Sequence, residues 1–215
     1  MKRMAALGDS YVAGVDGHDR HGVWVRLVAE QLGRRGDGVH LHTYARHGAK
    51  SDDVVADQLP ALRADGADLV AVVCGANDVL RHVDPDLERF ADNFAQVLDA
   101  AADAGEDVVT TTYPDFSPFL PYRPLSKARV VDGMVAVNVC IRQLAAERDV
   151  LCVDVERGLP PDAALFAADG IHLSPVGHRR TAGLVLAAID DAEPQSVAAE
   201  AEPPGLIEEL LRQWW

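Results

Sequence analysis

The sequence predicts an α/β fold: a three-layer α/β/α sandwich around a five-stranded parallel sheet. Three observations carry that expectation. Residues 69–74 (Leu-Val-Ala-Val-Val-Cys) are an unbroken apolar run, as in a strand buried on both faces rather than one. Such runs alternate with segments whose apolar residues recur at helical spacing, the pattern of repeated βαβ units. A chain of 215 residues can also bury a core of that size as one domain.

The elements follow in order. Residues 4–7 (Met-Ala-Ala-Leu) read as a short buried strand that Gly8-Asp9-Ser10 breaks at its carboxyl end. Residues 23–32 place Trp24, Leu27, Val28 and Leu32 on one helical stripe. Residues 39–44 form a second strand, and Ala45-Arg46-His47-Gly48 is its exit turn. A further helix over 54–62 presents Val55, Leu59 and Leu62, and the run at 69–74 is the third strand. Gly75-Ala76-Asn77-Asp78 ends it, glycine permitting the tight turn.

The clearest helix signal spans 86–104, with Leu87, Phe90, Ala91, Phe94, Val97, Leu98 and Ala101 in register. Residues 107–112 make a β-branched fourth strand. Val131, Met134, Val137, Ile141 and Leu144 mark another helix, and 150–155 a fifth strand. A last core helix is expected over 175–188, with Ser174 as its N-cap and Pro175 at its first position.

The exits of these strands carry the chemistry. Ser10 lies in the crevice where open parallel sheets bind ligands. Asp169 precedes His172 by three residues, a spacing that lets a carboxylate orient one imidazole nitrogen and leave the other as a general base. Asn77 brings an amide donor to the same edge, and Gly48 a backbone N–H with no Cβ to obstruct it. A serine, a base with its acid and convergent donors are the parts needed for acyl transfer. Asp9 and Asp78 read as braces of their turns rather than as further catalytic acids.

Taken in order, Gly8-Asp9-Ser10, the glycine turn at Gly48, Gly75-Ala76-Asn77-Asp78 and Asp169-Gly170-Ile171-His172 resemble the four signature blocks of the SGNH (GDSL-type) esterase/lipase superfamily. The resemblance spans roughly residues 4–189. It implies the flavodoxin-like strand order 2-1-3-4-5, Ser10 as nucleophile, His172 as base and Asp169 as its partner. It also implies an oxyanion hole made of the Ser10 N–H, the Gly48 N–H and the Asn77 side chain. One departure is visible: the second block reads Thr43-Tyr44-Ala45 where an asparagine often precedes its glycine.

The function so implied is a serine esterase that hydrolyses carboxylic esters of small or short-acyl substrates through an acyl-serine intermediate, with no metal and no organic cofactor. The same residues could serve an acyltransferase or a thioesterase. A non-catalytic binding module on the same fold is the alternative of another class.

Composition narrows the field. The net charge of −14 argues against nucleic acid as a partner, since phosphate contacts need clustered Lys and Arg. No run of about 18 apolar residues offers a membrane span. The N-terminal residues lack the apolar core of a signal peptide, so the expected location is cytoplasmic. Cys74, Cys140 and Cys152 have no metal-like spacing and read as small buried hydrophobes. His18 and His21, and likewise His40 and His42, have ligand-like spacing but polar settings, and are read as solvated side chains rather than a metal site. His47 adjoins Gly48 without a required role, and His178 is expected to pack beside the final helix.

Two segments stand apart. Residues 113–124, rich in Pro and aromatics, follow the fourth strand; they line an acyl or alcohol pocket or form a rigid connector that packs its own rings. Residues 190–215 form an acidic Ala/Glu/Pro tether ending in a short amphipathic helix with Ile207, Leu210, Leu211 and Trp214 on one face. So short a helix is unstable alone in water, so it docks on its own domain or a second copy, or stays disordered.

Overall fold

A computed structural model describes residues 1–14, 22–120 and 122–191. His18, His21 and the expected tether beyond residue 191 with its terminal helix lie outside the described residues. The sheet consists of β1 (Lys2–Gly8), β2 (Val39–Thr43), β3 (Leu69–Val73), β4 (Asp107–Thr111) and β5 (Leu151–Val153). All neighbours pair in parallel, in the order β2-β1-β3-β4-β5. That order reverses direction between β1 and β3, so the crevice outside their carboxyl ends is the switch point of the sheet.

Helix α1 (Ser10–Ala13) follows β1, and α2 (Trp24–Arg35) precedes β2. The next helical segment is composite: α3 (Ser51–Asp53), a π-helical turn (Val54–Gln58) and α4 (Leu59–Asp65). Next come α5 (Ala76–Leu80), α6 (Leu87–Ala104), α7 (Pro124–Glu147), α8 (Val155–Gly158) and α9 (Pro175–Asp191). Helices α2 and α9 pack together on one face of the sheet; α4, α6 and α7 cover the other.

Central strands β1 and β3 are buried because helices lie over both of their faces: Met4 to Leu7 and Val70 to Val73 are at most 2% exposed. Helix α6 turns Leu87, Phe90, Phe94, Val97, Leu98 and Ala101 inward. Asp86 caps it by accepting the Arg89 N–H at 2.9 Å, so the expected start at residue 86 is its N-cap. Ser174 caps α9 as expected, accepting from the backbone N–H of Val176 and Gly177, each at 3.2 Å.

The structure corrects several boundaries. Helix α7 begins at Pro124, seven residues before the first apolar marker, because its first turns are exposed and carry no stripe. Strand β5 stops at Val153, since Asp154 turns aside to cap α8 through the Arg157 N–H. Asp190 and Asp191, assigned by composition to the tether, belong to α9, where Asp190 pairs with Arg35 of α2. The short helices α1, α5 and α8 are too brief for a periodic pattern to reveal.

Candidate active site

Ser10 is placed by a backbone conformation that its neighbour alone permits. Gly8 ends β1 at φ +130°, and a Cβ there would lie 1.8 Å from the Val73 carbonyl oxygen of β3. Only glycine allows so close an approach. The chain then turns sharply, the Asp9 N–H bonds the Val73 carbonyl, and α1 starts at Ser10. Asp9, fully buried, caps α1 by accepting the Tyr11 N–H at 2.9 Å and also accepts the Tyr113 hydroxyl at 2.7 Å.

The acid–base pair comes from the far end of the chain. Asp169 accepts the Ile171 and His172 backbone N–H groups on one oxygen, at 2.9 and 3.0 Å, and holds His172 Nδ1 on the other at 2.5 Å. His172 Nε2 then lies 3.0 Å from Ser10 Oγ. Burial pushes the Asp169 carboxyl up, but the bonds from the His172 ring and the two backbone groups outweigh it and hold it below the usual carboxylate range. An ionised Asp169 fixes the imidazole with its proton on Nδ1, leaving Nε2 as an acceptor toward the serine.

The two donor turns are tied to each other and to β1. Arg46 N–H bonds the Gly8 carbonyl, and the turn reaches Gly48 at φ +75°. That φ favours glycine, and a Cβ there would also displace the Arg81 guanidinium, whose nearest nitrogen would lie 2.1 Å away. The Asn77 amide donates to the Ala49 carbonyl at 3.1 Å, which leaves its second hydrogen for another acceptor. Asp78 accepts both the N–H and the hydroxyl of Ser51, at 3.0 and 2.6 Å, clamping α5 to α3. Its pKa is raised by burial, against the bonds from Ser51.

Ser10, Gly48, Asn77 and the Asp169–His172 pair thus come from four separate strand exits and loops and meet at one edge of the sheet. A hydroxyl, an imidazole oriented by a carboxylate, and N–H donors at one sheet edge are the parts that attack on an acyl carbon requires. The profile of the GDSL-like Lipase/Acylhydrolase family matches residues 6–180, a span that takes in all five. The chain belongs to this family. It is a carboxylic ester hydrolase of the GDSL type.

Among solved structures, this GDSL-like hydrolase is similar to TesA, at 22% identity and a TM-score of 0.70 over 88% of this chain and 99% of that one. It is similar to a catalytic mutant of Axe2, an acetylxylan esterase from Geobacillus stearothermophilus, at 18% identity and a TM-score of 0.67, covering 87% and 94%. An extracellular lipase from Streptomyces rimosus shares 20% identity and a TM-score of 0.65, covering 87% and 100%. These likenesses bear on the fold. None of the curated proteins matches the chain.

Around the site of this hydrolase, Gln58 is the residue that sequence reasoning missed. Gln58, 2% exposed, holds both backbone groups of Gly8: its Oε1 accepts the N–H at 2.8 Å and its Nε2 donates to the carbonyl at 2.9 Å. His47 stacks on His172 with ring centroids 5.3 Å apart. Residues 113–120 behave mainly as a packed connector. Tyr113 and Phe116 are buried, and Phe119 packs on Phe166 at 5.2 Å. A cavity of about 110 Å³ does lie between Phe116, Leu120 and Met134, but Ser10, Asp169 and His172 do not line it. Among the described residues no cluster of three His, Cys, Asp or Glu could hold a metal ion, and no helix is long and apolar enough to cross a membrane.

Proposed function

We propose that the chain is a serine esterase acting on small or short-acyl carboxylic esters through an acyl-serine intermediate. The carrying observation is the continuous line from Asp169 through His172 to Ser10 Oγ, closed at 2.5 and 3.0 Å. Ser10 Oγ attacks the acyl carbon while His172 Nε2 takes its proton. Asp169, ionised, stabilises the imidazolium that forms. The oxyanion is met by the Ser10 N–H, the Gly48 N–H and the free hydrogen of the Asn77 amide. The proton on His172 then passes to the departing alcohol, leaving the acyl group on Ser10. Water attacks the acyl-serine with His172 again as base, and Ser10 and the acid are released.

The acetylxylan esterases among the structural neighbours favour short acyl groups as the first substrates to try. The test is hydrolysis of p-nitrophenyl acetate together with labelling of Ser10 by a fluorophosphonate. Ser10→Ala and His172→Ala are each expected to lower kcat on the order of 10⁴-fold or more, with little further loss in the double variant. A Ser10→Ala protein of near-normal activity would overturn the reading.

A further inference from the structure

Ser10 and His172 stand 162 residues apart and must meet within hydrogen-bond distance. The loop that carries His172 is closed mostly on itself. Phe166 and Leu173 form an antiparallel bridge, the Ala167 N–H bonds the His172 carbonyl, and the Gly170 N–H bonds the Ala167 carbonyl. None of these bonds tells the loop where Ser10 is.

Tyr11 supplies that information. It follows the serine directly, is 5% exposed, and its hydroxyl donates to the Ile171 carbonyl at 2.6 Å. Ile171 is the residue before His172, inside the span that Asp169 closes. Besides the Ser10–His172 pair itself, this is the hydrogen bond that ties the loop to α1 among the described residues. Tyr11 is itself held at both ends. Its N–H is fixed by Asp9, and its ring meets Tyr113 edge-on, with centroids 4.8 Å apart and planes at 83°. Tyr113 in turn donates to Asp9, so Asp9, Tyr11 and Tyr113 form one buried unit.

We infer that Tyr11 is a positioning residue: its bond to the Ile171 carbonyl sets the distance between His172 Nε2 and Ser10 Oγ. The inference rests on the proposed roles of Ser10 and His172. Tyr11 neither receives nor gives a proton in the reaction. Burial, with Asp9 and Asp169 nearby, holds its pKa well above the ordinary phenol value, so it remains a donor across the working pH range. Reaction rates depend steeply on such placement, a displacement of about 1 Å costing on the order of 10²-fold.

The test uses Tyr11→Phe, which removes one oxygen and keeps the ring against Tyr113, with Tyr113→Phe as the control for packing of the aromatic pair. Thermal melts first fix a temperature at which every variant is folded, and all rates are compared there. Tyr11→Phe is expected to lower kcat on p-nitrophenyl acetate roughly 10- to 100-fold with KM within about twofold. Phosphonylation of Ser10 should slow in proportion. Tyr113→Phe, which leaves the bond to Ile171 in place, should lose much less. Because Tyr11 acts through His172, Tyr11→Phe in a His172→Ala background should cost almost nothing more.

Equal losses in Tyr11→Phe and Tyr113→Phe, or undiminished loss in the His172→Ala background, would show general packing and overturn the proposal. So would an unchanged kcat in Tyr11→Phe while Ser10→Ala is inactive. Activity that survives Ser10→Ala would instead remove the catalytic reading beneath it, which makes the two failures distinguishable.

Discussion

The proposed mechanism gives the Asn77 amide two roles. One hydrogen is spent on the Ala49 carbonyl, which locks the side chain against the second donor turn, and the other is free to meet an oxyanion. The bond to a developing negative charge strengthens only in the transition state, so it acts on kcat rather than on substrate affinity. Asn77→Ala is expected to reduce kcat about 10²- to 10³-fold with KM barely moved, read from steady-state hydrolysis of p-nitrophenyl acetate. A raised KM at constant kcat would place Asn77 in ground-state binding instead.

At the scale of the element, the carboxyl end of β1 is held by β3 on one side and by something other than a strand on the β2 side. Pairing with β2 is in register only as far as Ala6 with Thr43, after which the second strand turns away into the Gly48 loop. Gln58 takes over the vacant edge, its side-chain amide offering Gly8 the donor and acceptor that a neighbouring strand would have given. It does so from the π-helical turn Val54–Gln58, an irregularity of the kind that often marks functional sites. Gln58→Leu keeps the volume and leaves the Gly8 N–H buried without its partner, while the Gly8 carbonyl retains the Arg46 N–H. The expected loss is about 1–3 kcal/mol of stability, measured as a lower midpoint in urea. An unchanged midpoint would show that Gly8 finds a substitute.

For the molecule as a whole, its buried carboxyls pull stability in opposite directions with pH. Burial raises the Asp9 pKa to about 7, against the bonds from Tyr113 and Tyr11. The folded protein therefore keeps a proton that the unfolded chain surrenders near the ordinary value of about 4, and stability falls as pH climbs through that window. Asp78 acts in the same sense. Asp52, paired with Arg89, together with Asp154 and Asp169, is held below the usual range. Those three stabilise above about pH 4, and their contribution is lost as pH falls. Maximum stability is thus expected on the mildly acidic side. Asp9→Asn removes the cost of ionising Asp9, which amounts to about 4 kcal/mol at most above pH 7. Denaturation at pH 5 and pH 8 should find the variant close to wild type at the first and more stable at the second. Parallel pH curves would contradict the assignment of that cost to Asp9.

The alternation of buried apolar runs with helical stripes was enough to specify the layers, the parallel sheet and helices over 23–32 and 86–104, which the fold extends or trims to Trp24–Arg35 and Leu87–Ala104, because these features depend on local periodicity. Ser10, Gly48, Asn77, Asp169 and His172 were legible for a related reason: each sits where an apolar run ends or a helix is about to begin, in a short run of distinctive residues. Their family resemblance supplied the strand order, which periodicity leaves open. The partners of Tyr11, Gln58 and Tyr113 were not legible. Each reads alone as an ordinary apolar or polar residue, and its partner lies 160, 50 or 104 positions away. The same holds for the raised carboxyl of Asp9, whose burial comes from elements that meet it only in the folded chain. The sequence by itself determined which chemistry the strand exits could bring together. Tertiary structure alone decided the distances and the protonation states, because hydrogen bonds across long loops and the removal of water exist only once the layers have packed.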